Sequence, residues 1–214
     1  MNLENLRHLY GFLFSISALV ICVTIHEFAH AVTAYRAGDD TPRAQGRLSL
    51  NPIDHLDPLG SIMIIISSIS GVGFGWGKPV MVNPYNFKNP RWDSLKVSLW
   101  GPLSNILTAA VIGTFLRFYA HAMPRGLLLF AAELTIISIS LALFNLLPIG
   151  PLDGSRIVSS LLPINKARSY NLFMAQYGLL IFLGLIFLAP KVLPTIIGPP
   201  SEILWHLFTG FRGG

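Results

Sequence analysis

The sequence predicts an all-α polytopic membrane protein: a bundle of about four to six transmembrane helices, with a small re-entrant β-sheet element after the first helix. Three observations predict it. Of 214 residues, 52% are hydrophobic and 12% charged, about half the roughly 25% charged share of an average soluble domain. Mean hydropathy is +0.59. The charge is also uneven, because long apolar runs alternate with short stretches that hold nearly all of it. The bilayer is then the solvent for most of the surface. A chain of this length supplies a helix bundle but not a bundle plus a large soluble domain, so residues 1–214 read as one integral-membrane domain.

Tyr10 to Tyr35 is the first long apolar run, about 26 residues and enough to span with some tilt. A polar stretch from Arg36 to Pro58 contains GRLSLNP. Leu59 to Gly71 is apolar but short, about 13 residues, and gives way to the glycine-rich GVGFGWGKPVMVNPYN, which suits turns and extended backbone. Ser94 to Tyr119 is the second long helix, interrupted early by GPLSN. Leu127 to Leu147 is the third and runs into NLLPIGPLDGSRI. Asn171 to Ala189 is the fourth, and Ile196 to Phe211 is a fifth, either interfacial or spanning. No internal repeat or low-complexity tail is visible.

Stretches of 10–14 apolar residues are more often re-entrant or interfacial than spanning. If Leu59 to Gly71 enters and leaves on one side, the end of the first helix and the end of the third share a face of the membrane. That arrangement puts Arg36, Arg43, Arg47, Lys78, Lys88, Arg91, Lys96, Arg156, Lys166 and Arg168 on one side. Arg7, Arg117, Arg125 and Lys191 fall on the other. By the positive-inside rule the first side is cytoplasmic. The non-helical segments around GRLSLNP and GWGKPVMVN need cover at membrane depth. Pairing as a small sheet would provide it, and an exposed edge would suit a substrate added as a strand.

The net charge of +5 sits in the short loops and forms no basic stripe, so nucleic acid is not an expected partner. Cys22 is the single cysteine, which excludes an internal disulfide. The first apolar run lacks a convincing cleavage site and leads directly into HEFAH, so it reads as a retained helix.

His26-Glu27-Phe28-Ala29-His30 is an HExxH pattern. Positions i and i+4 share a helical face, so both imidazoles can reach one metal ion. Glu27 can face the ion's open position and take a proton from water. The run from Ser15 to Ile25 puts this group at membrane depth. A carboxylate there costs roughly 2.5–3.5 kcal/mol on insertion scales, so it calls for a functional partner. Catalytic zinc wants a third protein ligand. Asp153 is the candidate: Pro148 and Pro151 break the third helix before it, and Gly154 frees the backbone after it. The blander readings are a polar patch at a helix end for His26, Glu27 and His30, and an Asp-Gly turn for Asp153.

HEFAH at 26–30, GPLSN at 101–105 and NLLPIGPLDG at 145–154 together resemble the site-2 protease family of intramembrane metalloproteases, whose pattern includes Asn-x-x-Pro-x-x-x-Leu-Asp-Gly. GRLSLNP and GWGKPVMVNP resemble the compact subgroup without a PDZ domain. The likeness covers about residues 12 to 157, and Ser155 replaces the frequent second glycine of the family's turn. It implies one zinc ion per chain held by His26, His30 and Asp153, with Glu27 as base. It also implies that Asn105 and Asn145 lie near the site, where an amide could hold substrate backbone or a developing oxyanion. Interhelical hydrogen bonding is the alternative for both amides.

The expected function is thus a zinc-dependent intramembrane endopeptidase in the cell membrane, with its active site toward the cytoplasm. Its partners would be membrane lipid and a transmembrane-helix substrate cut in regulated proteolysis. The catalytic core would cover about residues 10–157, with C-terminal helices at about 171–211. No feature specifies an oligomer. The competing classes are a catalytically silent helix-binding scaffold, which would not need Glu27, and a metal transporter, which commonly carries internal repeats. His55 reads as a structural or surface histidine. Cys22 lies a turn before His26, yet a fourth protein ligand would close the site to water. Phe28, Trp76 and Trp100 read as packing or interface residues, and His121 and His206 as helix-end residues.

Overall fold

The computed structural model describes residues 3–60, 62–63, 77–189 and 191–211. The first helix, α1 (Leu3–Arg36), is followed by the one-turn α2 (Thr41–Ala44). The long helices α3 (Pro90–Tyr119) and α4 (Arg125–Asn145) come next, then the short α5 (Asp153–Leu161). The chain closes with α6 (Ile164–Phe187) and α7 (Val192–Thr209). By length and composition four segments can cross a membrane: Tyr10–Arg36, Pro90–Ala122, Arg125–Asn145 and Ile164–Phe187. The protein is a multi-pass, all-α membrane protein, as the hydropathy pattern predicts.

The core of the bundle is α1, α3 and α4, each packed on the other two. Their contact faces are built from small residues. Ala18, Ala31, Ala34, Ala109 and Ala142 are each fully buried, which suits helices that must approach closely because lipid offers no hydrophobic drive to associate. α3 begins with Pro90 at its first position, where the missing N–H costs nothing. The Asp93 carboxylate reaches back to accept from Asn89 N at 2.9 Å.

The turn from α4 to α5 is fixed by sterics. A Cβ on Gly154 would stand 2.3 Å from the carbonyl oxygens of both Leu146 and Leu147, so only glycine lets α5 start beneath the end of α4. α6 is held to this corner by Tyr170, whose hydroxyl donates to Pro148 O at 2.9 Å, and by the near contact of Gly178 with Gly150.

The segment that the sequence leaves as interfacial or spanning falls in α7. This helix starts just after α6 ends and returns to the far end of α3. Arg117 donates from Nη1 to Leu207 O at 3.3 Å, and a Cβ on Gly113 would lie 2.7 Å from Phe208 Cβ. Among the described residues α7 is not one of the four segments long and apolar enough to cross a membrane, and its last turns pack against the end of α3.

Among the described residues the expected β-sheet is not seen, and the only pairing of this kind is an isolated antiparallel bridge between Leu56 and Gly77. Most of Leu59 to Gly71, and Trp76, lie outside the described residues. The reason lies in who satisfies the backbone of residues 78–83. Lys78 N donates to His55 O at 2.8 Å. Buried Arg47 reaches Pro79 O, and Gln45 pairs with both Met81 N and Met81 O. Asn83 N donates to Asp39 Oδ2 at 2.7 Å. Buried backbone groups need partners, and here side chains supply most of those that a ladder would have provided.

Asp39 anchors this segment to the end of α1. It is fully buried and also accepts from Thr41 N, Thr41 Oγ1 and Asn86 Nδ2, at 3.1, 2.6 and 2.8 Å. Burial alone would raise its carboxyl. The bonds from Thr41, Asn83 and Asn86 outweigh that and hold it below the usual carboxylate range. Asp39→Ala should therefore cost about 2–4 kcal/mol, seen as a lower melting temperature in detergent. Because the folded pKa is depressed, the stabilisation from Asp39 is full above the unfolded pKa. It is lost as pH falls toward the folded value, so the gap between wild type and variant should narrow in acid.

Candidate metal centre

Side chains from α1 and α5 meet inside the bundle, walled by α3. His26 Nε2 and His30 Nε2 are 3.0 Å apart, and each lies 3.1 Å from Asp153 Oδ2. Both histidines are buried. The helical period brings the two imidazoles to one face of α1, and the cramped turn after α4 delivers the carboxylate from the first residue of α5.

The far nitrogens decide what this trio can bind. His30 Nδ1 lies 2.7 Å from Val97 O. A carbonyl only accepts, so Nδ1 carries the proton and the neutral ring aims a lone pair from Nε2 into the centre. His26 Nδ1 lies 3.2 Å from the Asn105 amide nitrogen. An amide can serve either tautomer of that ring, depending on which of its ends faces the nitrogen. With Nδ1 as acceptor, one proton on His26 Nε2 must be shared between two acceptors, His30 Nε2 and the carboxylate. With the amide turned over, His26 also presents a lone pair, and three donor atoms of a metal converge.

As a metal ligand Asp153 would act as the carboxylate, beside two neutral imidazoles.

Two imidazole nitrogens and a carboxylate oxygen are a donor set that zinc takes in catalytic sites. His26, His30 and Asp153 offer one ligand atom each, all within 4.8 Å of one another. Around a tetrahedral ion with bonds near 2.0–2.2 Å, ligand atoms stand roughly 3.3–3.5 Å apart, so the trio would open by a few tenths of an ångström. The residues fit the ion.

The other wall is α3, which comes close to α1 at Gly101. A Cβ on Gly101 would stand 2.3 Å from His30 Nε2 and 2.8 Å from His26 Nε2. Gly101 belongs to GPLSN, but what the sequence offered there was Asn105. The Val97 carbonyl had no sequence signal, since every residue carries one. Glu27 is half-buried, and its Oε2 accepts from Val80 N at 3.0 Å. That partner, too, is backbone and lies 53 residues away.

Of the two amides singled out from the sequence, Asn105 is fully buried on the outer nitrogen of His26. Asn145 turns its amide nitrogen back to Leu141 O at 2.9 Å. Cys22 lies apart from the trio, with its sulfur 3.0 Å from Ser138 Oγ. His55 is fully buried rather than at the surface, with Nε2 2.6 Å from Ser49 O.

Residues 117–189 match the model of peptidase family M50. The chain is 42% identical to YwhC of Bacillus subtilis (strain 168), over 91% of its own length and 85% of that protein. It is 32% identical to Rip2 of Mycolicibacterium smegmatis, over 72% of this chain and 59% of that one. With Rip2 of Mycobacterium tuberculosis (strain H37Rv) it shares 31%, over 89% and 73%. All three are named as candidate zinc metalloproteases. No solved structure matches.

The contact at Gly101 yields a sharp expectation. Gly101→Ala should push the imidazoles out of register and lower zinc content of the purified protein at least tenfold, the lower bound for losses of orienting contacts at metal sites. Atomic absorption on wild type and variant, each checked for a monodisperse folded peak, reads this directly.

Proposed function

The chain belongs to peptidase family M50, the site-2 protease family, and is a zinc metalloprotease; from this we propose that it hydrolyses peptide bonds within the transmembrane segments of other membrane proteins. One observation carries the reading: an HExxH turn and a distant aspartate converge within 3.1 Å inside a bundle of membrane-length helices.

In this reading His26, His30 and Asp153 hold the ion. When bound, zinc supplies a Lewis acid that brings water near ionisation at neutral pH and polarises a carbonyl. The remaining steps belong to the chain's own residues. Glu27 accepts the proton of the water as it attacks the scissile carbon, then returns it to the leaving amine as the C–N bond breaks. The Val80 N–H holds the Glu27 carboxylate at a fixed angle, because a free carboxylate on α1 could turn away. Asn105 positions His26 from behind. Asn145, on the last turn of α4, is the proposed amide for substrate backbone or the developing oxyanion.

The proposed orientation puts this centre on the cytoplasmic side. The loops at its end of the bundle carry the surplus of lysine and arginine, which is the cytoplasmic signature. A helix hides its own peptide bonds, so the substrate must unwind locally at the site. A transmembrane helix already trimmed by another protease, as in regulated intramembrane proteolysis, would suit it. Residues 1–214 would act as a single catalytic domain, with its core at about 10–157. A silent helix-binding scaffold is the second reading. The ordered contact between Glu27 and Val80 favours the enzyme, since binding a helix needs no base.

The test uses purified protein in detergent and a panel of transmembrane reporters. Wild type should cleave at least one, and Glu27→Gln should lose roughly 10²–10⁴ in rate, the usual contribution of a positioned base, with zinc content unchanged. Equal cleavage by both forms, or wild-type protein that binds no zinc, would overturn the assignment.

A further inference from the structure

A cavity of about 620 Å³ opens beside the metal centre. Its walls are the first turns of α3, the outer face of α5, the start of α6 and the residues around Val82 and Phe87. It shares a wall with the centre, because Val97, whose carbonyl orients His30, also lines the cavity. A second wall leads there as well. Arg156 lines the cavity one turn after Asp153, and residues three apart share a helical face.

The charge of this cavity is of one sign. Arg91 and Arg156 line it, and no aspartate or glutamate does. Arg91 is fixed in the wall, with Nε donating to Ser160 O at 2.6 Å and Nη2 to Leu161 O and Leu162 O, each at 3.1 Å. Arg156 is exposed and forms no salt bridge among the described residues. Ser94, Ser98 and Asn171 add neutral hydrogen-bonding groups. A shallower groove continues along α6, where Arg168 extends the positive rim.

We infer that this cavity is a subsite for the substrate flank on the metal's side of the membrane, and that it selects flanks carrying aspartate or glutamate. The inference rests on the proteolytic reading above. Its physical basis is the positive-inside rule: the cytoplasmic flanks of most membrane helices are rich in lysine and arginine. Two guanidiniums beside the centre repel such flanks and so penalise the bulk of membrane proteins, which is how specificity is often gained. An acidic flank meets Arg156 without a competing partner, against apolar walls that strengthen the attraction relative to open water.

The test measures binding and cleavage separately, in nanodiscs of zwitterionic lipid. Peptides share one transmembrane segment and carry three acidic, three neutral or three basic residues on the flank. On the Glu27→Gln background, the acidic peptide should bind about fivefold tighter than the basic one, the scale of a well-placed ion pair. Added salt should weaken the preference. Arg156→Gln should abolish it and Arg156→Glu invert it, with zinc content serving as the check on folding. Binding that ignores the flank, or a preference that survives Arg156→Glu, overturns the inference. So does retention of anionic phospholipid that depends on Arg156 and displaces the acidic peptide, since the cavity would then hold a lipid headgroup. If binding discriminates between flanks yet wild type cleaves no reporter, the subsite stands and the proteolytic reading falls.

Discussion

The constraint on which the structure depends is the close approach of α1 and α3 at Gly101. Two imidazoles and a carboxylate placed at membrane depth must find all their partners inside the protein, because lipid supplies none. α1 can present His26 and His30 but cannot hold their outer nitrogens. That task falls to α3, through the Val97 carbonyl and the Asn105 amide. Both groups reach the rings only because position 101 has no side chain. The same contact fixes the spacing of the helices and so decides where α4 and α5 must deliver Asp153.

Close contacts of this kind recur wherever an element has to meet another at a set height. Gly154 lets α5 start under the last carbonyls of α4, Gly178 seats α6 on Gly150, and Gly113 admits α7. Packing of small residues replaces the hydrophobic drive that water would supply to a soluble bundle. At Gly101, Gly113 and Gly154 an added methyl group would stand within 2.7 Å of a neighbouring atom, so the bundle should tolerate lipid-facing change better than change at these three positions.

The two flanks of the centre differ in kind. On one, residues 77–87 are tied down by Asp39, Gln45 and Arg47 and bring the Val80 N–H to Glu27. On the other, α5 and α6 border open space lined by Arg91 and Arg156. α6 makes its contacts chiefly through α5 and the turn before it. The rigid flank suits holding a base, and the open one suits admitting a chain.

Much of this was legible in the sequence. The four membrane-length helices follow from long apolar runs, since burial in lipid acts on composition. The trio His26, His30 and Asp153 is readable because helical spacing and a proline-broken helix end are local properties. The sheet was misjudged: glycines and prolines around residues 46–83 announce non-helical backbone, but not which partners satisfy it. Arg47, Gln45 and Asp39 look like ordinary loop residues until the fold turns them inward. The packing of α7 was equally hidden, because its contacts with Gly113 and Arg117 join segments about 90 residues apart. The sequence by itself determined the helices, their lipid-facing character and the residue types of the centre, because these are set by local periodicity and transfer from water. The tertiary structure alone decided the Val97 and Val80 backbone contacts, the role of Gly101 and the positive cavity, because each depends on where residues distant in sequence come to rest.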